Sequence, residues 1–266
     1  MTSFVTKTYY IDTALNMPVL FLLMVTSLCA QKSQSERPAA SWGSDPSFVS
    51  LQPSPSAADL KMESTSLMDC AALCSTNTWC SSFFYNSKRS QCLLFRGFYV
   101  DTEGLQQNPG AEYYLMVSDR CPSPSCFHLS RQDNVCFLYL RENKTYQESN
   151  DLCQGYNGSL AILDTLSKND WVVGLLRLNN VIAGGVRLFL GAQRNLPQRN
   201  GKVFQWSNGQ KVAANGSSES FWPPPGPKRR GEFCLVLYAV PPSPVKWYDS
   251  SCDHVSSGVL CEYDEN

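Results

Sequence analysis

Residues Cys234–Cys261 read C-LVLYAVPPSPVK-WYDSS-C-DHVSSGVL-C, and the rest of the chain is organised around them. Two short apolar runs, Leu235–Val240 and Gly258–Leu260, lie against cysteines, with a Trp247-Tyr248-Asp249-x-x-Cys252 corner between them. Strand-like runs tied at their ends by cystine are how a loop-rich extracellular domain keeps its shape.

The composition agrees with that compartment. The chain has 266 residues, room for one large or two small domains. It is 43% hydrophobic and 17% charged, which excludes a disordered tail. A formal net charge of −1 gives no general attraction to nucleic acid or to an anionic membrane. Twelve cysteines, without repeated Cys-x-x-Cys knuckles, point to disulfides rather than zinc. Val19–Leu28 (VLFLLMVTSL) has the length of a signal-peptide core, so residues 1–30 read as a signal, with Met17 as an alternative start. The run is short for a transmembrane helix, and no later segment offers about 20 consecutive apolar residues. With no hydrophobic tail after Cys261 for a lipid anchor, the expectation is a secreted protein without a transmembrane span.

Residues 31–58 are rich in Ser, Pro and Ala without periodicity and read as a linker. A first packed unit is expected over 59–121. Ser64, Thr65 and Ser66 are N-cap candidates for a short helix over Leu67–Cys74, in which Cys70 and Cys74 sit one turn apart on one face. Strands follow at Cys80–Tyr85, Gln91–Phe95 and Tyr113–Val117. The stretch DCAALCSTNTWCSSFFYNSKRSQCLLF resembles the PAN/apple family in spacing. The resemblance implies one helix on a small antiparallel sheet, with bridges Cys70–Cys92 and Cys74–Cys80. Members of that family bind proteins or carbohydrates, so extracellular protein partners are expected for this module.

The second unit is expected over 122–266. A strand pair runs from Cys126 to Leu140, and Thr145–Cys153 carries Tyr146, Ser149, Leu152 and Cys153 on one helical face. Leu160–Leu163 is a short buried strand. A second helix over Asp164–Asn179 turns Trp171, Val172, Leu175 and Leu176 to the core, with Thr165 or Ser167 as cap. Leu188–Gly191 and Phe204–Gly209 follow as a strand and a strand-turn. In order, these pieces resemble the C-type lectin-like family over about 140 residues: its cysteine-ended helix, its Leu-Ala-x-Ile and Trp-Ile-Gly-Leu strands, its Phe-x-Trp-x-x-Gly turn and its Trp-Asn-Asp corner. The whole chain is then α+β and disulfide-rich, a PAN/apple module followed by a long-form lectin-like fold of two helices, two small antiparallel sheets and a long loop region. The resemblance implies Cys153–Cys261, Cys234–Cys252 and a long-form extra bridge Cys126–Cys136. If Cys29 leaves with the signal, Cys121 is the odd cysteine, and a disulfide-linked dimer is expected through it.

Sugar-binding members of the lectin family hold calcium through Glu-Pro-Asn or Gln-Pro-Asp in the long loop, a Glu before the second framework cysteine, and the Asn-Asp after the Trp. A calcium ion needs six to eight oxygen ligands. Here Glu232 and Asp249 match two of those donors, Tyr248 stands in place of the Asn, and Gly226-Pro227-Lys228 stands in place of Glu-Pro-Asn. Two carboxylates beside a lysine make an incomplete metal site, so no cofactor is expected. Lys228, Arg229 and Arg230 suit sulfate or uronate oxyanions, or form a solvated basic loop tip. Trp247 and Tyr248 complete the candidate ligand set with Glu232 and Asp249. Family placement instead puts Trp222 and Trp247 in the core. Only His128 and His254 are present, and neither suggests a triad or a metal set, so an enzyme is not expected. Asn143, Asn157 and Asn215 head glycosylation sequons. The functional expectation is a secreted glycan-binding protein of adhesion, matrix or host defence, with acidic or sulfated glycans as partners. The alternative is a protein-interaction module in which neither domain binds sugar.

Overall fold

The computed structural model describes residues 40–64, 66–118, 120–121, 128–194, 203–212, 221–223 and 233–263. In the N-terminal half, helix α1 (Leu67–Thr76) begins where the Ser66 hydroxyl accepts the Asp69 amide at 3.1 Å. Its Cys70 and Cys74, both fully buried, are bridged to Cys92 and Cys80. These bridges clip the helix to an antiparallel sheet of strands β1 (Ala40–Ser44), β3 (Leu60–Glu63), β4 (Ser82–Asn86), β5 (Gln91–Phe95) and β7 (Ala111–Ser118), in the order β1-β7-β4-β5-β3. Two short strands, β2 (Leu51–Gln52) and β6 (Gln106–Gln107), pair beside it.

The linker expected over residues 31–58 is therefore wrong for 40–58. β1 zips five residues onto β7, and Trp42 packs edge-on against Phe83 at 4.9 Å while its indole N–H donates to the Ser75 hydroxyl. Phe48 is buried among Phe84, Tyr99 and Tyr113. Trp42 on β1 and Phe48 in the 3-10 turn after it anchor a segment whose Ser/Pro composition resembles that of a spacer, and their burial adds to the pairing of β1 with β7 in opposing the entropy cost of ordering it.

The second half holds two four-stranded antiparallel sheets. One, ordered β10-β15-β9-β8, comprises β8 (His128–Ser130), β9 (Val135–Leu140), β10 (Ser159–Leu160) and β15 (Val259–Tyr263). The other, ordered β12-β11-β13-β14, comprises β11 (Val186–Arg194), β12 (Phe204–Trp206), β13 (Cys234–Ala239) and β14 (Lys246–Ser250). Helix α2 (Tyr146–Gly155) opens with a reciprocal Thr145–Glu148 capping box, and the Thr145 amide beside the Glu148 carboxyl holds its pKa down. Helix α3 (Leu166–Leu178) is capped by Thr165 and buries Trp171, Val172, Leu175 and Leu176. Cys153–Cys261 ties α2 to β15, and Cys234–Cys252 ties the start of β13 to the chain beyond β14. Gly191 lets the sheets meet. A Cβ there would stand 2.4 Å from the Leu160 carbonyl oxygen, and the Gly191 amide donates to the Ala161 carbonyl at 2.9 Å.

The two halves share a core. Phe98, between β5 and β6, is 1% exposed and packs with Phe137, Trp171, Leu175 and their neighbours. Gly97 before it comes so close to α3 that an added Cβ would lie 3.3 Å from the Leu175 Cα. Asn179, the C-cap of α3, accepts the Val100 amide at 2.8 Å and donates to the Phe98 carbonyl at 2.9 Å. From the turn between β8 and β9, the Arg131 guanidinium donates to the carbonyls of Cys74, Ser75 and Asn77 at the end of α1, at 2.9–3.1 Å. All described residues accordingly fall within one compact unit, Gln34–Asn266.

The junction also corrects a disulfide. Cys136 is bonded to Cys121, not to Cys126, which lies outside the described residues. β7 runs alongside β8, and the chain turns at Ser118 so that the Cys121 amide donates to the Ser118 carbonyl at 3.3 Å. That turn brings the Cys121 Cα within 5.6 Å of Cys136, inside the range a disulfide requires. Cys121 is therefore consumed within the chain, and the dimer expected through its thiol is corrected too. Non-reducing peptide mapping is expected to recover a Cys121–Cys136 peptide; a Cys121 found linked to a second chain would contradict this junction.

His128 packs on Phe98 with ring centroids 3.9 Å apart, and burial pushes its imidazole pKa from 6.5 down to about 4. The neutral ring is the folded form, so the unfolded chain binds the extra proton between those two values. Stability from this site is complete above pH 6.5 and falls as pH drops towards 4. Urea titrations at pH 7 and pH 4.5 are expected to differ by roughly 1–3 kcal/mol on this account, and His128→Phe should flatten the difference. Equal pH dependence in the variant would show that the ring is solvated.

Candidate functional site

The candidate site lies at one end of the β12-β11-β13-β14 sheet, where Arg194 of β11 reaches across the start of β13 to Asp249 of β14. Along β11, Leu188, Leu190, Ala192 and Arg194 are buried at alternate positions, so the apolar face ends in a guanidinium. Arg194 and Asp249 form an ion pair at 3.2 Å, each side chain only 7% exposed. The Arg194 guanidinium carbon also stands 4.8 Å from the centroid of the Phe204 ring. Asp249, expected as a metal ligand, is thus engaged by a protein cation. Its low exposure leaves little room for a hydrated ion at the same oxygens.

The neighbours follow from strand geometry. On β14, Trp247 and Asp249 share one face and Tyr248 takes the other. Tyr248 is half-buried and packs edge-on against Tyr238 at 5.4 Å, so it neither replaces the missing amide ligand nor joins Asp249. Trp247 is fully buried, between Trp206 at 5.6 Å, Phe221 at 4.7 Å and Trp222 at 5.9 Å, with its indole N–H donating to the Asn169 amide oxygen at 3.2 Å. The reading of Trp247 as a ligand-stacking residue is therefore corrected: it is core, as is Trp222, which is 7% exposed. The aromatic cluster supports β14 from beneath and holds Asp249 against Arg194.

Lys228, Arg229, Arg230 and Glu232 lie outside the described residues, as does Asn215. Asn143 and Asn157 are exposed. Among the described residues, no group of three or more His, Cys, Asp or Glu side chains could hold a metal ion, and no helix is long and apolar enough to cross a membrane. His254 Nδ1 lies 3.0 Å from the Ser250 hydroxyl.

Arg194 was missed in the sequence because its partner is 55 residues away. Its signal is local all the same: an arginine in phase with the apolar face of a strand must find an anion. Removing one member of a buried pair leaves the other charge stranded, so Arg194→Ala is expected to cost about 3–5 kcal/mol. The double change Arg194→Met with Asp249→Leu should recover most of that in urea titrations. A loss below about 1 kcal/mol for the single variant would mean that the pair is solvated.

No curated protein matches the chain in sequence. Among solved structures it is similar to the Ca2+-independent C-type lectin SPL-2 from Saxidomus purpuratus, at 20% identity and a TM-score of 0.44, covering 56% of this chain and 96% of that one. It is also similar to the C-type lectin CEL-I from Cucumaria echinata, at 14% identity and a TM-score of 0.43, covering 56% and 100%. The cow C-type carbohydrate-recognition domain of CD23 aligns at 19% identity with a TM-score of 0.40, covering 55% and 97%. Residues 52–116 match the PAN domain family and residues 142–263 the lectin C-type domain family. The chain carries a PAN domain followed by a C-type lectin domain.

Proposed function

We propose that the chain is a secreted, non-enzymatic recognition protein that binds glycans without calcium, in adhesion, matrix or host defence. The observation that carries this reading is the buried Arg194–Asp249 pair, which supplies a fixed positive charge to the carboxylate that a calcium ion would otherwise need. Three further features support it. Tyr248 turns to Tyr238, the long loop carries Gly226 and Lys228 in place of oxygen donors, and Lys228, Arg229 and Arg230 put a basic triplet in that loop. The triplet favours sulfated or uronate-bearing chains, because guanidinium groups bind oxyanions in a bidentate fashion.

The shared core between the halves favours a second reading, in which the lectin domain is a rigid seat and the PAN domain docks a protein partner.

A melting scan with calcium and again with chelator is expected to give the same curve. A functional site at hundredfold excess of ion would add about 2.7 kcal/mol. Retention on a sulfated glycan resin should fall steeply with salt, since exposed charges are screened over about 8–10 Å at physiological ionic strength. Alanine at 228, 229 and 230 should abolish it. Calcium-dependent stabilisation, or elution from neutral sugar resin by chelator, would overturn the calcium-free reading. Absence of retention on every glycan, in both conditions, would favour the protein-partner reading.

A further inference from the structure

Strand β3 forms one edge of the five-stranded sheet, with β5 as its partner, and no described strand lies on its other side. The register sets Leu60, Lys61, Met62 and Glu63 opposite Leu94, Leu93, Cys92 and Gln91. Just past the strand, the Ser64 amide donates to the Ser90 carbonyl at 2.8 Å, so Ser64 and Ser90 are a hydrogen-bonded pair of the same ladder. Antiparallel pairs alternate between bonded and non-bonded. The Leu60 and Met62 backbones therefore turn toward β5, while the N–H and C=O groups of Lys61 and Glu63 turn outward. At the other end the Asp59 amide donates to the Leu94 carbonyl at 3.0 Å, one place off the register, and the regular alternation stops there. The outward backbone of this edge is thus confined to Lys61 and Glu63.

Side chains alternate as well. Met62, 40% exposed, shares the face of Cys92, which is bridged to Cys70 of α1. Lys61 and Glu63, both exposed, share the opposite face. An edge with outward backbone groups and an exposed methionine is a template for a further strand. Charged residues on an edge commonly prevent such pairing. Here their alternating signs prevent it in every self-paired register but one.

Parity and charge select that register. Outward groups must meet outward groups, so two antiparallel copies of β3 can centre on Lys61, on Met62 or on Glu63. Centring on Lys61 sets lysine against lysine, and Glu63 against Asp59 of the other copy. Centring on Glu63 sets glutamate against glutamate. Like charges directly opposite are destabilising and unlike charges favourable. Centring on Met62 sets Lys61 of each copy opposite Glu63 of the other. We propose that β3 is a self-recognition edge through which two copies of the chain pair about a two-fold axis at Met62. Each outward amide of Lys61 and Glu63 donates to an outward carbonyl of the other copy, and the two Met62 side chains meet on the α1 face. Both copies offer the same edge, so the assembly closes at two. The backbone bonds and the methionines hold the pair, and the charges fix its register. The pairing is non-covalent and independent of Cys121, which is consumed within the chain.

Sedimentation equilibrium of the full chain over a wide concentration range tests this. The wild type is expected to pass reversibly from monomer to dimer. Lys61→Glu and Glu63→Lys each set like charges opposite one another on both sides of the axis, and each alone should weaken the dimer about tenfold. An equal mixture of the two variants should recover it as a heterodimer, because every cross-strand pair then joins a cation to an anion. Lys61→Pro removes an outward amide without touching a bond to β5, and proline is tolerated on such an edge. It should dissociate the dimer and leave the melting temperature unchanged. A wild type that stays monomeric at every concentration overturns the proposal, whether or not an unrelated extended peptide pairs with β3. So does a dimer that persists in Lys61→Pro and in both charge reversals, or a mixture that associates no better than its components.

Discussion

Phe98 leaves the sheet of one domain and is buried in the core of the other, and the arrangement of the whole chain depends on that insertion. Burying a phenyl ring stabilises by about 1.5–3 kcal/mol, but only if the backbone carrying it is satisfied as well. Asn179 meets that condition by bonding the Phe98 carbonyl and the Val100 amide, and Gly97 permits it by having no side chain to strike α3. Arg131 fastens the opposite edge by neutralising carbonyls at the C-terminus of α1, where a cation also complements the helix dipole. A ring, an amide and a guanidinium thus do what a long covalent linker could not. The Cys121–Cys136 bridge then closes the same junction.

The Arg194–Asp249 pair fixes two strands of one sheet through a charge contact that the protein itself supplies. At 3.2 Å and an effective dielectric constant near 20, the attraction is about 5 kcal/mol, and desolvating the two groups costs several kcal/mol each. The net stabilisation is therefore small. Its main effect is on geometry: a planar guanidinium packed on Phe204 and paired with Asp249 fixes the end of β11 against β14. A calcium ion would do this only at sufficient concentration, whereas a covalently attached cation does it always.

Much of the fold was legible because its signals are local. The helix caps at Ser66, Thr145 and Thr165, the alternation in β13, and the one-turn spacing of Cys70 and Cys74 each sit within a few residues. What the sequence hid was set by distant partners. β1 lies in a segment of spacer-like composition and is a strand because β7, about 75 residues on, offers it an edge. Cys121 and Cys126 precede Cys136 by 15 and 10 residues, both near enough for a local bridge, and the path of β7 along β8 brings Cys121 to it. The site was legible only in part, for the same reason. Asp249 and Tyr248 could be named from the corner they occupy, but the guanidinium beside Asp249 comes from another strand.

Docking changes what weak binding can achieve. A lectin domain on a free spacer samples many orientations, so a ligand touching both halves must first order them at a cost in conformational entropy. Here that ordering has already occurred during folding, through Phe98, Asn179 and Arg131. Two weak contacts on one rigid body reinforce each other only for a ligand whose own span and shape match their separation, because a mismatched ligand cannot engage both at once. For any ligand that spans both halves, selectivity then resides in the spacing of contacts as much as in the affinity of either contact. This offers a physical reason for a PAN domain and a C-type lectin domain to be fused through one core.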